Sequence, residues 1–116
     1  MNALIGVVGP CAAGKTTLIA GLRALGYRAK HIAQEHSYVP TMWQKMTNPD
    51  ILIYLNVSYP QSILRRQLNW TLAEYETQLQ RLRHARQHAH LEIETDNLTP
   101  EQVLAVALDY IKSREV

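Results

Sequence analysis

The alternation of apolar strands with amphipathic helices predicts an α/β fold, a three-layer α/β/α sandwich around a short parallel sheet of about four strands. Three observations carry this expectation. "ALIGVV" (Ala3 to Val8) is a continuous apolar run, as a strand covered on both faces requires. The glycine-bounded stretch "GPCAAG" separates it from "KTTLIAGLRAL", where Leu18, Ile19, Leu22 and Leu25 recur at helical spacing and stop at Gly26. The same strand-then-helix order continues to the C-terminal segment, and within one sheet it demands parallel strands joined by right-handed crossovers.

The remaining elements follow in order. "YRAKHIAQ" (Tyr27 to Gln34) is the weaker second strand and "ILIYLNV" (Ile51 to Val57) the strong third one. Ser58, with Pro60 in the first turn and Gln61 three residues on, caps a helix from about Tyr59. Leu72, Tyr75, Leu79 and Leu82, then Ala85 and Ala89, mark a second helical stripe, and "HLEIET" alternates as a fourth strand with one wetter face. Thr99, Pro100 and Gln102 repeat the capping pattern before a last helix that buries Val103, Leu104, Ala107, Leu108 and Ile111. Ligands of such sheets sit at the carboxyl ends of the strands. That rim collects residues 9 to 14, Glu35, Asn56 with Ser58, and Thr95 to Thr99.

With 116 residues the chain reads as one domain, 1–116, in which any second substrate is held by loops. Hydrophobic residues at 47% and charged residues at 19% are ordinary globular values, and no apolar run reaches the roughly 20 residues of a membrane span. A net charge of +2, concentrated between Arg81 and His90 without interleaved aromatic residues, argues against a nucleic-acid partner. The single cysteine, Cys11, and the lack of a secretory leader lead to the expectation of a reduced, cytoplasmic protein.

Gly9, Gly14, Lys15 and Thr16 match G-x-x-x-x-G-K-[ST] without a mismatch, between a strand and a helix. In such a loop the backbone of Gly9, Pro10, Cys11, Ala12, Ala13 and Gly14 wraps a phosphate, and the helix start adds free N–H groups and the positive end of its dipole. Lys15 is expected on the β- and γ-phosphates, the Thr16 hydroxyl on Mg²⁺, and Thr17 against the α-phosphate. The ligand these residues call for is a nucleoside triphosphate. No N-K-x-D phrase that would read guanine is present, which favours ATP.

With the loop, the phrases "NPDILIYLNVSYPQSILRRQ" and "HLEIETDNLTPEQVLAVAL" resemble the small P-loop kinases of the nucleoside and nucleotide monophosphate kinase type, over about two thirds of the chain. Those enzymes show "PD-apolar-YLDV" before an arginine-bearing helix and an "IDT…TPEEV" strand and helix. The resemblance implies a P-loop NTPase type of fold, ATP with Mg²⁺, and a small-molecule phosphate acceptor. It also implies that Arg65 or Arg66, together with Arg83 or Arg86, closes over the phosphates as a lid, and that "TDNLTP", with Asp96 and Asn97, borders the base. Taking Leu82 as core-facing, a turn of about 100° per residue puts Arg83, Arg86 and His90 on one flank of their helix.

Those kinases have five strands, an acceptor-binding insertion and an acid, often in D-R-[YH], beside the first strand. Here only one strand fits between Gly26 and Asp50, so the strand leading into "AQEHSY" takes that place and Glu35 falls where the acid belongs. Glu35 would hold Mg²⁺ through water or act as base on an acceptor hydroxyl, with His36 as the other candidate; the alternative is a solvated loop acid. Asp50 precedes its strand, at the wrong end for a metal. Cys11 reads as a small filler, His84 and His88 as an incidental pair, and Trp43 with Met46 as an apolar plug. Two functions remain open: a small kinase-like phosphotransferase, or a nucleotide-binding module that hydrolyses slowly or not at all.

Overall fold

The computed structural model describes residues 2–66 and 69–115, without the Arg66 side chain. Four strands, β1 (Leu4–Val8), β2 (Arg28–His31), β3 (Ile51–Asn56) and β4 (Leu91–Glu94), form one sheet in the order β2-β1-β3-β4, all parallel. Between them lie α1 (Lys15–Ala24), a single 3₁₀ turn (Gln34–His36), the short α2 (Met42–Met46), α3 (Tyr59–Arg66) and α4 (Leu72–His88), and α5 (Pro100–Ser113) follows β4.

Successive residues of β3 point to opposite faces. Ile51, Ile53 and Leu55 join Leu18, Leu22, Val103, Ala107 and Ile111 in a core beneath α1 and α5. Leu52 and Tyr54 join Val8, Ile32, Trp43, Leu82 and Ala85 beneath α4. Helices thus cover both faces, which is why β3 reads as an unbroken apolar run. Burial of each such side chain contributes about 1.5–3 kcal/mol, so Ile53→Ala would damage the fold at its centre.

The helix boundaries follow local chemistry. Gly26, at φ 89°, ends α1 by taking the left-handed turn while the Tyr27 N–H donates back to the Leu22 carbonyl. Thr99 and Gln102 make a reciprocal capping box at α5, and Thr71 and Glu74 make another at α4. The expected second strand is shorter than its apolar pattern. β2 is an edge strand that stops at His31, apart from one further bond from Ile32 N–H to the Val7 carbonyl. The reason lies in Gln34. Its buried amide donates to the Val39 and Arg81 carbonyls and accepts from the Trp43 N–H, which turns the chain off the sheet. Residues 34–36 therefore cross over the end of β1 instead of extending past it.

Candidate functional site

Residues 9–14 run from the carboxyl end of β1 to the start of α1. A Cβ on Gly9 would collide with the Leu55 carbonyl oxygen, so the loop closes onto β3 only with glycine there. Ala12 and Gly14 adopt positive φ values of 71° and 97°, and the Ala13 N–H donates to the Pro10 carbonyl at 3.2 Å. The loop so formed turns tightly into α1, whose first N–H groups have no partner within the helix.

Lys15 opens α1 and is only 6% exposed. Its ammonium donates to the Gly9 carbonyl at 2.6 Å and the Pro10 carbonyl at 3.0 Å, and it pairs with Glu35 Oε2 at 2.9 Å. All three donors are engaged. Glu35, 2% exposed, arrives on the 3₁₀ turn beside β1, so the sequence placement of this acid next to the loop matches its position here. His36 Nε2 and His31 Nε2 lie 3.8 and 4.0 Å from the same Oε2. Among the described residues, Glu35 Oε1 is buried with no hydrogen-bond partner. An orphaned anionic oxygen at a cleft wall is a site that a cation or its water satisfies. Burial, and then the Lys15 charge, hold the His31 imidazole below its ordinary pKa.

A cleft of about 750 Å³ opens here. Its floor is Cys11 through Thr17; His31, Glu35 and His36 form one wall, and Arg65, Thr95, Leu98, Pro100 and Val103 the other. Thr16 and Thr17 are exposed on that floor. Arg65, from α3, donates to the Ala12 carbonyl at 3.2 Å, to Thr95 Oγ1 at 2.8 Å and to the Thr95 carbonyl, and so ties the loop to the end of β4. The Arg66 side chain lies outside the described residues.

Several expected residues stand elsewhere. Arg83 is exposed and Arg86 chelates Glu92, Nε to Oε1 at 2.9 Å and Nη2 to Oε2 at 2.8 Å, while its guanidinium lies 5.1 Å from the Tyr54 ring centre. Neither lines the cleft. The cause is direction: α4 returns from the carboxyl end of β3 to the amino end of β4, and at 1.5 Å per residue Arg86 sits roughly 12 Å below Gln78, which reaches the loop. Helical phase placed these arginines on one flank but said nothing of their depth. Asp96 also turns away, accepting from the Ser58 N–H at 2.9 Å, and Asn97 is exposed. Thr95, Leu98 and Pro100 border the cleft in their stead.

The structure adds residues that pattern reading passed over. Gln78, 8% exposed on α4, accepts from the Cys11 N–H at 3.0 Å and donates to Cys11 Sγ at 3.2 Å. Arg81 donates to the Glu35 carbonyl at 3.3 Å and packs on Tyr38. A polar residue on a core-facing helical position was the available signal for Gln78. The strand-opening reading of Asp50 fits its contacts, since its carboxylate accepts from the Leu4 N–H at 2.7 Å. Trp43 is a buried plug whose indole donates to His84 Nδ1 at 3.0 Å, with His88 stacked beyond. Met46 lines a separate depression of about 410 Å³ with Lys30, His31 and Met42. At the end of β3, Asn56 donates to both Glu94 carboxylate oxygens, and two residues earlier in the same strand burial pushes the Tyr54 phenol up to about 12.

No protein-family model matches the chain, and no curated protein matches it. No helix among the described residues is long and apolar enough to cross a membrane.

Proposed function

We propose that this chain is a P-loop nucleoside-triphosphate-binding protein working with Mg²⁺ as a small kinase-like phosphotransferase. One observation carries the reading: a G-x-x-x-x-G-K-T loop on the central strand, with its lysine buried against an acid delivered from the neighbouring parallel strand, beside a cleft large enough for a nucleotide. The triphosphate lies in the loop with its phosphates on the N–H groups of Gly14 to Thr17 at the start of α1 and its base against Leu98, Pro100 and Val103. Lys15 exchanges a carbonyl for phosphate oxygens, and Arg65, already on the cleft wall, leaves Thr95 for the same charge. The donor set fits Mg²⁺, with the Thr16 hydroxyl and the unpartnered Glu35 Oε1 supplying oxygen ligands, directly or through water. Bound there, the ion would neutralise charge on the transferring phosphoryl group. Glu35 orients the attacking hydroxyl or water, and His36 beside it accepts its proton.

The test is transfer from labelled ATP with Mg²⁺ to a panel of nucleosides, nucleoside monophosphates and small alcohols. Acceptor-dependent turnover that disappears in Lys15→Ala supports the proposal. Nucleotide binding with no transfer to any acceptor selects the second reading, a nucleotide-binding module. That reading is favoured by Trp43, which fills the segment between Glu35 and β3 with core instead of an acceptor cavity.

A further inference from the structure

Cys11, Glu35 and His36 come together at the cleft from two separate segments. One ligand atom from each, Sγ, a carboxylate oxygen and a ring nitrogen, lies within 4.8 Å of the other two. From these we infer that the cleft holds a second, mutually exclusive ligand: a thiophilic divalent cation of the zinc type, bound by Cys11, Glu35 and His36 across the mouth of the loop.

The chemistry differs from that of Mg²⁺. A thiolate, an imidazole and a carboxylate form a borderline-soft set that favours zinc, whereas magnesium takes oxygen ligands only. Three protein ligands with an open fourth position is the arrangement of a zinc site that retains water. Two further observations point to a cation. Glu35 is 2% exposed, and among the described residues its buried Oε1 has no hydrogen-bond partner while Oε2 keeps Lys15 and lies 3.8 Å from His36 Nε2, so the carboxylate retains an unsatisfied oxygen beside the cluster. Cys11 is held in place from behind, its N–H and Sγ both bonded to the buried Gln78 amide, as an outer group holds a ligand. Binding contracts the cluster to zinc–sulfur distances of about 2.3 Å and zinc–nitrogen or –oxygen distances of about 2.0–2.2 Å, drawing in the exposed His36 side chain and Cys11. On binding, the Cys11 thiol loses its proton to solvent, and the thiolate with the Glu35 carboxylate balances the charge of the metal. Lys15 opposes the cation by its own charge, 2.9 Å from Glu35 Oε2.

The metal occupies the floor that the phosphates need, so it switches the site off. This second half rests on the proposed function; metal binding itself does not. Co²⁺ alone, titrated into the full chain, is expected to give a thiolate-to-metal charge-transfer band. Cys11→Ser abolishes the band, and His36→Gln weakens Co²⁺ and Zn²⁺ binding by at least about tenfold. Because Cys11 is the single cysteine, alkylation of the protein gives an independent readout. Zn²⁺ protects Cys11 in the wild type and not in His36→Gln, which covers the case of a Cys11→Ser variant that fails to fold. Lys15→Ala separates the two readings, because it loses triphosphate affinity yet binds Co²⁺ more tightly. A wild type with no charge-transfer band and no protection overturns the proposal. Metal binding unaltered by ATP, after correction for chelation with the free nucleotide, overturns the switch and leaves the site.

Discussion

Lys15 and Glu35 are a buried ion pair, 7% and 3% exposed at the side chain, and breaking it strands one charge in a place water barely reaches. Lys15→Ala is expected to lose triphosphate binding by calorimetry and also to cost about 3 kcal/mol in urea denaturation. Lys15→Met combined with Glu35→Gln removes both charges and should cost less than the sum of the single changes, by about 1–3 kcal/mol of coupling. Purely additive values would mean that the pair is not formed in solution. His31 supplies a pH test. Its folded pKa is lowered, so the neutral ring is favoured, and its contribution is fully present above the ordinary value of 6.5 and is lost as pH falls below it. A triphosphate beside His31 brings negative charge and reverses the shift. Nucleotide binding at about pH 6 should therefore take up protons, read as a dependence of the calorimetric heat on buffer ionisation enthalpy, and His31→Gln should reduce the uptake.

At the scale of elements, two glycines of the same loop fail for different reasons. Gly9→Ala forces a Cβ into the Leu55 carbonyl, whereas Gly14→Ala meets open space and pays only for its φ of 97°. Thermal unfolding should show Gly14→Ala destabilised by about 1–2 kcal/mol and Gly9→Ala by clearly more. Thr99→Ala removes the cap that accepts from Gln102 N–H and should cost about 1 kcal/mol without altering nucleotide affinity. The Arg86–Glu92 chelate ties α4 to β4, and the guanidinium holds the Glu92 carboxyl below its ordinary value of 4.5. That stabilisation is present above pH 4.5 and fades as pH falls through the lower folded value; both groups are partly exposed, so it stays within about 1 kcal/mol. Glu92→Gln should flatten the acid limb of the stability curve and leave ATP binding unchanged, since Arg86 is held far from the cleft. The capping boxes and the continuous β3 were legible because each depends on neighbours within a few residues. The early end of β2 was not, because it depends on Gln34 bonding to Val39, Arg81 and Trp43.

For the whole molecule, a ligand that binds only the folded chain raises its stability by about 2.7 kcal/mol at one hundred times its dissociation constant. Saturating ATP and Mg²⁺ should raise the melting temperature of the wild type and not that of Lys15→Ala. By itself the sequence determined a parallel α/β arrangement of four strands and the strand–loop–helix unit around Gly9 to Thr16, and it offered Glu35 for the position beside that unit while leaving a solvated loop acid as the alternative. These rest on hydrophobic period, glycine spacing and the rule that sequential parallel strands need crossovers, all of which are local or topological. Only the tertiary structure decided which polar side chains face the cleft. It brought in His31, set Gln78 behind Cys11, kept Arg65 and Thr95 on the cleft wall, and carried Arg83, Arg86 and Asp96 away. Helical phase fixes the side of an element on which a residue lies. Its height along the strands, and the partner that claims it, arise only when helices of set length pack back across a sheet, and that is where this cleft acquires its chemistry.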